Sequence, residues 1–219
     1  KSLNNGVDPI EVIEKYGADS LRYFLATTAS PGLDMRYDEE KVKSSSNYLN
    51  KIWNSARFIL MNIDDDFNYT KFDVNKLNLI DKYILTKLQY TVKEVTKNMD
   101  KYEYGVASTL LYDFVYDDFC SFYIEMSKIS LNSDEKDNTL KVLLYVLHSV
   151  LMMIYPFSPF ISEEIYLNSP NHLESIMLET YPEFEKEYVF ADSIGVIEDL
   201  RKAIEEVRGY KVDNKLAPN

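Results

Sequence analysis

The stretch from Thr139 to Tyr155 does most to limit what this chain can become. It is apolar nearly all the way round a helical wheel, interrupted at His148 and Ser149. A helix without a polar face must be covered on every side, so this segment is predicted to be the central helix of a bundle. Pro156 and Pro159 break it, and Ile161 to Leu167 adds a short helix. With 6 glycines and 7 prolines in 219 residues, little room is left for strand-and-turn architecture. The expectation is an all-α protein, an antiparallel helix bundle of four or five helices.

The other helices announce themselves by their ends. Asp8-Pro9-Ile10-Glu11 reads as an N-cap, a first-turn proline and an acidic third position, with Gly17 as C-cap. A second helix is predicted from about Ala18 to about Thr28, stopped by Ser30-Pro31-Gly32. Asp38 caps a long helix to about Asn62, with Glu39 and Glu40 in its first turn. Leu79 to Met99 follows, with Ile80, Ile84, Leu88 and Val95 at helical spacing. After a turn at Tyr102 to Gly105, Val106 to about Ile129 carries a wide apolar stripe that includes Leu111, Phe114, Phe119 and Tyr123. Asn168 to Tyr188 is irregular, Asp192 caps a final amphipathic helix to about Val207, and Lys211 to Asn219 reads as an extended tail. Three parts are expected: 1–37 as linker helices, 38–168 as the bundle, and 169–219 as an irregular segment with a C-terminal helix.

Composition narrows the chemistry. The single cysteine, Cys120, lies near an apolar face and argues against disulfides or a cysteine zinc site. His148 reads as a satisfied core histidine, and His172 has no paired ligand nearby. Glu163-Glu164 lacks the Glu-x-x-His partner that a di-metal bundle needs, and no glycine-rich phosphate loop occurs, so no metal is expected. The opening has no basic segment followed by an apolar one, and the run Val142 to Phe157 is too short for a bilayer, so no membrane contact and a cytoplasmic location are expected. A net charge of −12 opposes nucleic-acid binding except through a local patch.

The long helix offers such a patch. With Asn47 at zero, Lys51 falls at about 40°, Asn54 at about 340°, Phe58 at about 20° and Arg57 at about 280°. Leu49, Ile52, Ala56, Ile59 and Leu60 lie opposite. An exposed phenylalanine among amides and cations suits single-stranded RNA, where rings stack on splayed bases and lysine neutralises phosphate. A solvated helix face, with Phe58 covered by a neighbouring loop, would produce the same pattern.

Several phrases carry a resemblance. Lys1-Ser2-Leu3-Asn4-Asn5-Gly6-Val7-Asp8-Pro9 and Tyr16-Gly17-Ala18-Asp19-Ser20-Leu21-Arg22 resemble the end of the KMSKS loop and the helix after it in class I aminoacyl-tRNA synthetases. Ala29 to Lys41, Asn47 to Phe58 and Tyr112 to Glu125 are similar to the valyl-tRNA synthetase subfamily, and Pro156 to Tyr166 is shared with its relatives for branched aliphatic amino acids. Where family members often place basic residues, at the helix start and before the first asparagine, this chain has Asp38-Glu39-Glu40 and Ser46. The resemblance implies an anticodon-binding bundle whose long helix contacts tRNA through Asn47, Lys51, Asn54, Arg57 and Phe58. It implies that Lys1 and Ser2 close a truncated ATP-binding loop, and that the catalytic half lies upstream of residue 1. The whole enzyme would then join valine to tRNA using ATP with magnesium, while this part catalyses nothing and holds no cofactor. Its partners would be valine tRNAs and the catalytic domain of its own polypeptide, and it would be a monomer. An isoleucyl- or leucyl-type anticodon domain, or an acidic helical scaffold for protein partners, are the alternatives.

Overall fold

A computed structural model describes residues 6–28, 35–64 and 66–217. The described residues form helices and short turns, without a strand. Helices α1 (Pro9–Tyr16) and α2 (Ala18–Thr28) form a small N-terminal pair. The Asp8 side chain caps α1 by accepting from the Ile10 amide at 2.9 Å, and Gly17 ends it at φ +85°, a conformation costly for any residue with a Cβ. The helix-stopping Ser30-Pro31-Gly32 and the pair Lys1 and Ser2 lie outside the described residues.

Helix α3 (Glu39–Met61) starts at the predicted cap, where Asp38 accepts from the Glu40 amide at 3.1 Å. Its acidic start has a structural partner: Glu39 accepts from Lys15 at 2.6 Å and from the Tyr16 hydroxyl at 2.9 Å, joining α1 to α3. The Lys15 ammonium and this hydroxyl hold the Glu39 carboxyl below its usual range. Val12, Phe24 and Val42 form a small core beneath that contact.

Helix α4 (Leu79–Asp100) begins at Asn78, whose side chain caps the Asp81 amide at 2.9 Å. The next element departs from prediction. Instead of one α-helix from Val106, the chain forms α5 (Tyr104–Asp113), a π-helical stretch (Phe114–Tyr123) and α6 (Ile124–Ser130). The wider winding follows from residues at steps of five. Phe114, Phe119 and Ile124 are all buried, yet an α-helix would set each about 140° from the last. The stretch closes with the Ile124 amide bonded to the Phe119 carbonyl, five residues back. Gly105 near the start of α5 allows a close approach, since a Cβ there would meet the Thr27 carbonyl at 3.3 Å and that backbone would have to give by a few tenths of an ångström.

Helix α7 (Lys136–Ile154) is the predicted central helix. It is long and apolar enough to cross a membrane, but most of it is buried inside the bundle, packed against α3, α4 and α6. Pro159 does not merely break the chain; it is the first residue of α8 (Pro159–Leu167), where a fixed φ favours a helix start. The cap of α8 comes from far away. Asp19 of α2 accepts from the Phe160 amide at 3.3 Å and the Ile161 amide at 2.7 Å, and Arg22 donates to the Pro156 carbonyl at 3.4 Å.

Helix α9 (Asp192–Asp213) runs further than expected, so Lys211 to Asp213 are helical, and Asp192 is its first residue and not its cap. It packs on α4 through buried Ser193 and Ile197. Arg201 donates to the Tyr83 hydroxyl at 2.9 Å and to Asp118, whose other oxygen meets Lys87 at 3.1 Å. His148 sits half-buried against Tyr69 and Tyr166, but it is not satisfied as predicted: its enclosed Nε2 has no hydrogen-bond partner.

Candidate nucleic-acid interface

Helix α3 buries the predicted face. Leu49, Ile52, Ala56 and Ile59 are buried along with Val42, Leu60 is only half-buried, and Asn47, Asn54 and Arg57 are exposed. The exposed side does not form one continuous surface. Neighbouring helices divide it, and the predicted RNA-contact residues fall in two of the resulting pockets.

The first is a groove of about 480 Å³ between α3 and the π-helical stretch. Asn47, Lys51, Asn54 and Phe58 line it from α3, together with Asn50. Tyr116, Cys120, Ile124 and Lys128 face them. Lys51 lies across the middle: its Nζ donates to the Ser121 hydroxyl at 2.5 Å and sits 3.4 Å from the Tyr116 ring centre. Tyr116 also stacks on Tyr112, with centroids 5.2 Å apart and planes 7° from parallel. Tyr112 rests on buried Tyr48, which rests on Tyr23, so rings brace the groove from below. Asn54, which lines the groove with Asn47, donates to the Asn50 carbonyl at 2.9 Å.

Phe58 departs from its predicted exposure. It is half-buried, packs against the main core, and has Lys128 over its ring at 5.6 Å. The wheel angle is as predicted, but α6 crosses that angle and covers part of the ring. Lys128 in turn is bonded to Glu125 at 2.7 Å, so the groove's cationic character falls mainly on Lys51.

Arg57 is not in the groove. It lines a second pocket, of about 440 Å³, between α3 and α8. The two pockets flank the exposed ridge of one helix.

Cys120 is buried at the floor of the groove, and burial pushes its thiol up to about 11, so it stays protonated. No cluster of histidine, cysteine and carboxylate residues that could hold a metal occurs among the described residues. The sequence reading missed Tyr116, Ser121 and Lys128, which complete the groove. Their signal was present but local periodicity could not use it: Tyr112, Tyr116 and Ser121 are exposed or partly exposed positions among the buried apolar residues of this stretch.

A helical bundle presenting an amide-, lysine- and aromatic-lined groove along one long helix has the chemistry of a single-stranded RNA reader. The chain belongs to the family of anticodon-binding domains of tRNA ligases, whose family model matches residues 81–219. A second model, tRNA synthetases class I (I, L, M and V), matches residues 1–38. The chain is 48% identical over 217 residues to the valine–tRNA ligase of Staphylococcus epidermidis, covering 97% of this chain and 25% of that protein. It is 49% identical over 212 residues to that of Staphylococcus carnosus, covering 95% and 24%. The chain thus spans about a quarter of the length of the curated relatives it matches. Among solved structures, the LeuRS of Agrobacterium radiobacter K84, in a ternary complex with tRNA and LeuAMS, shares the fold at a TM-score of 0.68 and 20% identity, over 86% of this chain and 22% of that one. Mycobacterium tuberculosis methionyl-tRNA synthetase does so at 0.59 and 22%, over 84% and 39%.

Proposed function

We propose that this chain recognises the anticodon of valine tRNAs for a valine–tRNA ligase, positioning the tRNA while ATP-dependent aminoacylation takes place elsewhere in the whole enzyme. The observation that carries the reading is the groove. Asn47, Lys51, Asn54 and Phe58 converge on it with Tyr116 opposite. Amides offer hydrogen bonds to base edges, aromatic rings offer stacking, and Lys51 meets phosphate. The similarity to valine–tRNA ligases over nearly the whole chain supports the choice of amino acid. In this reading residues 1–37 link to a catalytic domain, with Lys1 and Ser2 closing an ATP-binding loop. Residues 38–168 read the anticodon, and 169–219 extend the bundle. ATP and magnesium belong to the catalytic part, and the enzyme works as a cytoplasmic monomer.

Fluorescence anisotropy tests this with a valine anticodon stem-loop and the same stem carrying changed middle and third anticodon bases. Preference for the valine loop, lost in Lys51→Ala, is the expected result. Equal binding to all loops would overturn anticodon reading. No binding to any loop, together with capture of protein partners at salt concentrations that abolish RNA binding, would favour an acidic scaffold.

A further inference from the structure

The lysine at the middle of the groove is tethered by the helical stretch opposite. Ser121 has one hydroxyl proton, and it goes to the Tyr116 carbonyl at 2.6 Å. The oxygen therefore turns a lone pair to Lys51, whose Nζ donates to it at 2.5 Å. The same ammonium sits 3.4 Å from the centre of the Tyr116 ring, close enough for the ring to attract it. Both holds come from one turn of the π-helical stretch, in which Ser121 bonds a carbonyl five residues back. In an α-helix Ser121 would leave the axis about 140° from Tyr116, and the ring and the hydroxyl would face apart. The tether does not neutralise the charge. Lys51 has no carboxylate partner among the described residues, and Glu125, which lines the same groove, is taken by Lys128 at 2.7 Å.

We propose that Ser121 is a positioning residue: it fixes the Lys51 ammonium over the Tyr116 ring, so that the groove meets RNA with its cation already in place. Ser121 acts through Lys51 and need touch no nucleotide itself. The inference rests on the anticodon-binding reading for its ligand, and adds to it a task for Ser121 and for the π winding. A free lysine side chain samples many rotamers, and ordering it on binding weakens affinity by about two- to tenfold. Lys51 is half-buried and already spans from α3 to the opposite wall, so this ordering is complete before RNA arrives. An ammonium has three donors and Ser121 takes one, which leaves donors and the full charge for the RNA.

The test begins with a readout that needs no RNA. In a proton–carbon correlation spectrum of the 219-residue protein labelled at lysine, the Tyr116 ring current should set the Lys51 ε-methylene upfield of the other lysines. The resonance is identified by its loss in Lys51→Ala. Ser121→Ala should return it to the ordinary lysine position, and Ser121→Thr, which keeps the hydroxyl, should leave it upfield. Ser121 is exposed, so neither change empties the core, as unchanged melting curves will show. Anisotropy with the valine anticodon stem-loop is then measured over a series of salt concentrations. Ser121→Ala should bind about two- to tenfold more weakly at an unchanged salt slope, because the cation is still present, and Ser121→Thr should restore the affinity. Lys51→Ala should flatten the slope instead. An upfield resonance retained in Ser121→Ala would overturn the tether. Parent-like affinity in that variant would overturn the positioning role and leave anticodon reading intact. A parent protein that binds no stem-loop, with Lys51 upfield all the same, would overturn the anticodon reading and the role of Ser121 with it, so the two failures are told apart by the parent.

Discussion

At the scale of single residues, two desolvated titratable groups, buried Asp81 and half-buried His148, oppose each other. Desolvation raises Asp81 from 3.8 to about 6, despite the Tyr123 hydroxyl that donates to it at 2.7 Å. Desolvation lowers His148 from 6.5 to about 4. Between pH 4 and 6 the folded chain holds a proton on Asp81 that the unfolded chain releases, so this group adds stability as pH falls. Over nearly the same window the unfolded chain protonates its histidine while folded His148 stays neutral, so that group removes stability as pH falls. Each effect is worth about 3 kcal/mol, and together they largely cancel. Asp81→Asn should therefore be about 2–3 kcal/mol more stable than the parent at pH 7 and lose that advantage by pH 4. His148→Phe should match the parent at pH 7 and exceed it by about 3 kcal/mol at pH 4. Urea midpoints at pH 4, 5.5 and 7 check both, and a pH trend of the same sign in the two variants would contradict the assignment. The groove residues also separate at this scale. Lys51→Ala should weaken stem-loop binding at unchanged melting temperature, whereas half-buried Phe58→Ala should also cost about 1–2 kcal/mol of stability, read from the same melts.

At the scale of elements, most helices were legible from their ends, because capping is a local contract between a side chain and the next few amides. Asp8, Asp38 and Gly17 act where predicted. Two features were not legible. The π-helical stretch needs three buried residues at steps of five, and burial is decided by neighbours distant in sequence. The N-terminus of α8 takes its cap from Asp19, 141 residues before Phe160. Asp19 thereby joins the N-terminal helix pair to the end of the bundle. Asp19→Ala should cost about 1–2 kcal/mol and expose α8 to faster amide exchange at its first turn, whereas Asp19→Asn should retain part of the bond. Hydrogen exchange checks this, and unchanged protection at Phe160 and Ile161 would show that the cap is not what holds α8.

At the scale of the whole molecule, the C-terminal helix and the net charge set the remaining expectations. Helix α9 is held to α4 by Ile197 and by Arg201 bonded to buried Asp118. Arg201→Ala leaves Asp118 with Lys87 and Tyr83 and should cost about 2 kcal/mol, with amide protection lost along α9 before the rest of the bundle. Intact protection of α9 in that variant would place its anchorage in the apolar contacts alone. RNA binding by a body of net charge −12 should respond weakly to salt. Lys51 is the groove's main cation, so one or two phosphate contacts predict a log–log slope of about −0.7 to −1.4. A slope steeper than about −3 would need a basic surface that the groove does not supply.

The all-α class, the central helix and the face of α3 that is buried were determined by the sequence alone, because each depends on spacing along one segment and on caps a few residues away. The division of the opposite face was decided only by tertiary structure. Lys51 and Arg57 lie on the same exposed side of one helix, yet Lys51 meets Ser121 of the π-helical stretch while Arg57 shares a pocket with Glu164 of α8. Periodicity gives the angle at which a side chain leaves its helix. Which neighbour stands at that angle depends on how helices 70 or 100 residues apart pack together, and that is settled by burying the apolar faces of all of them at once.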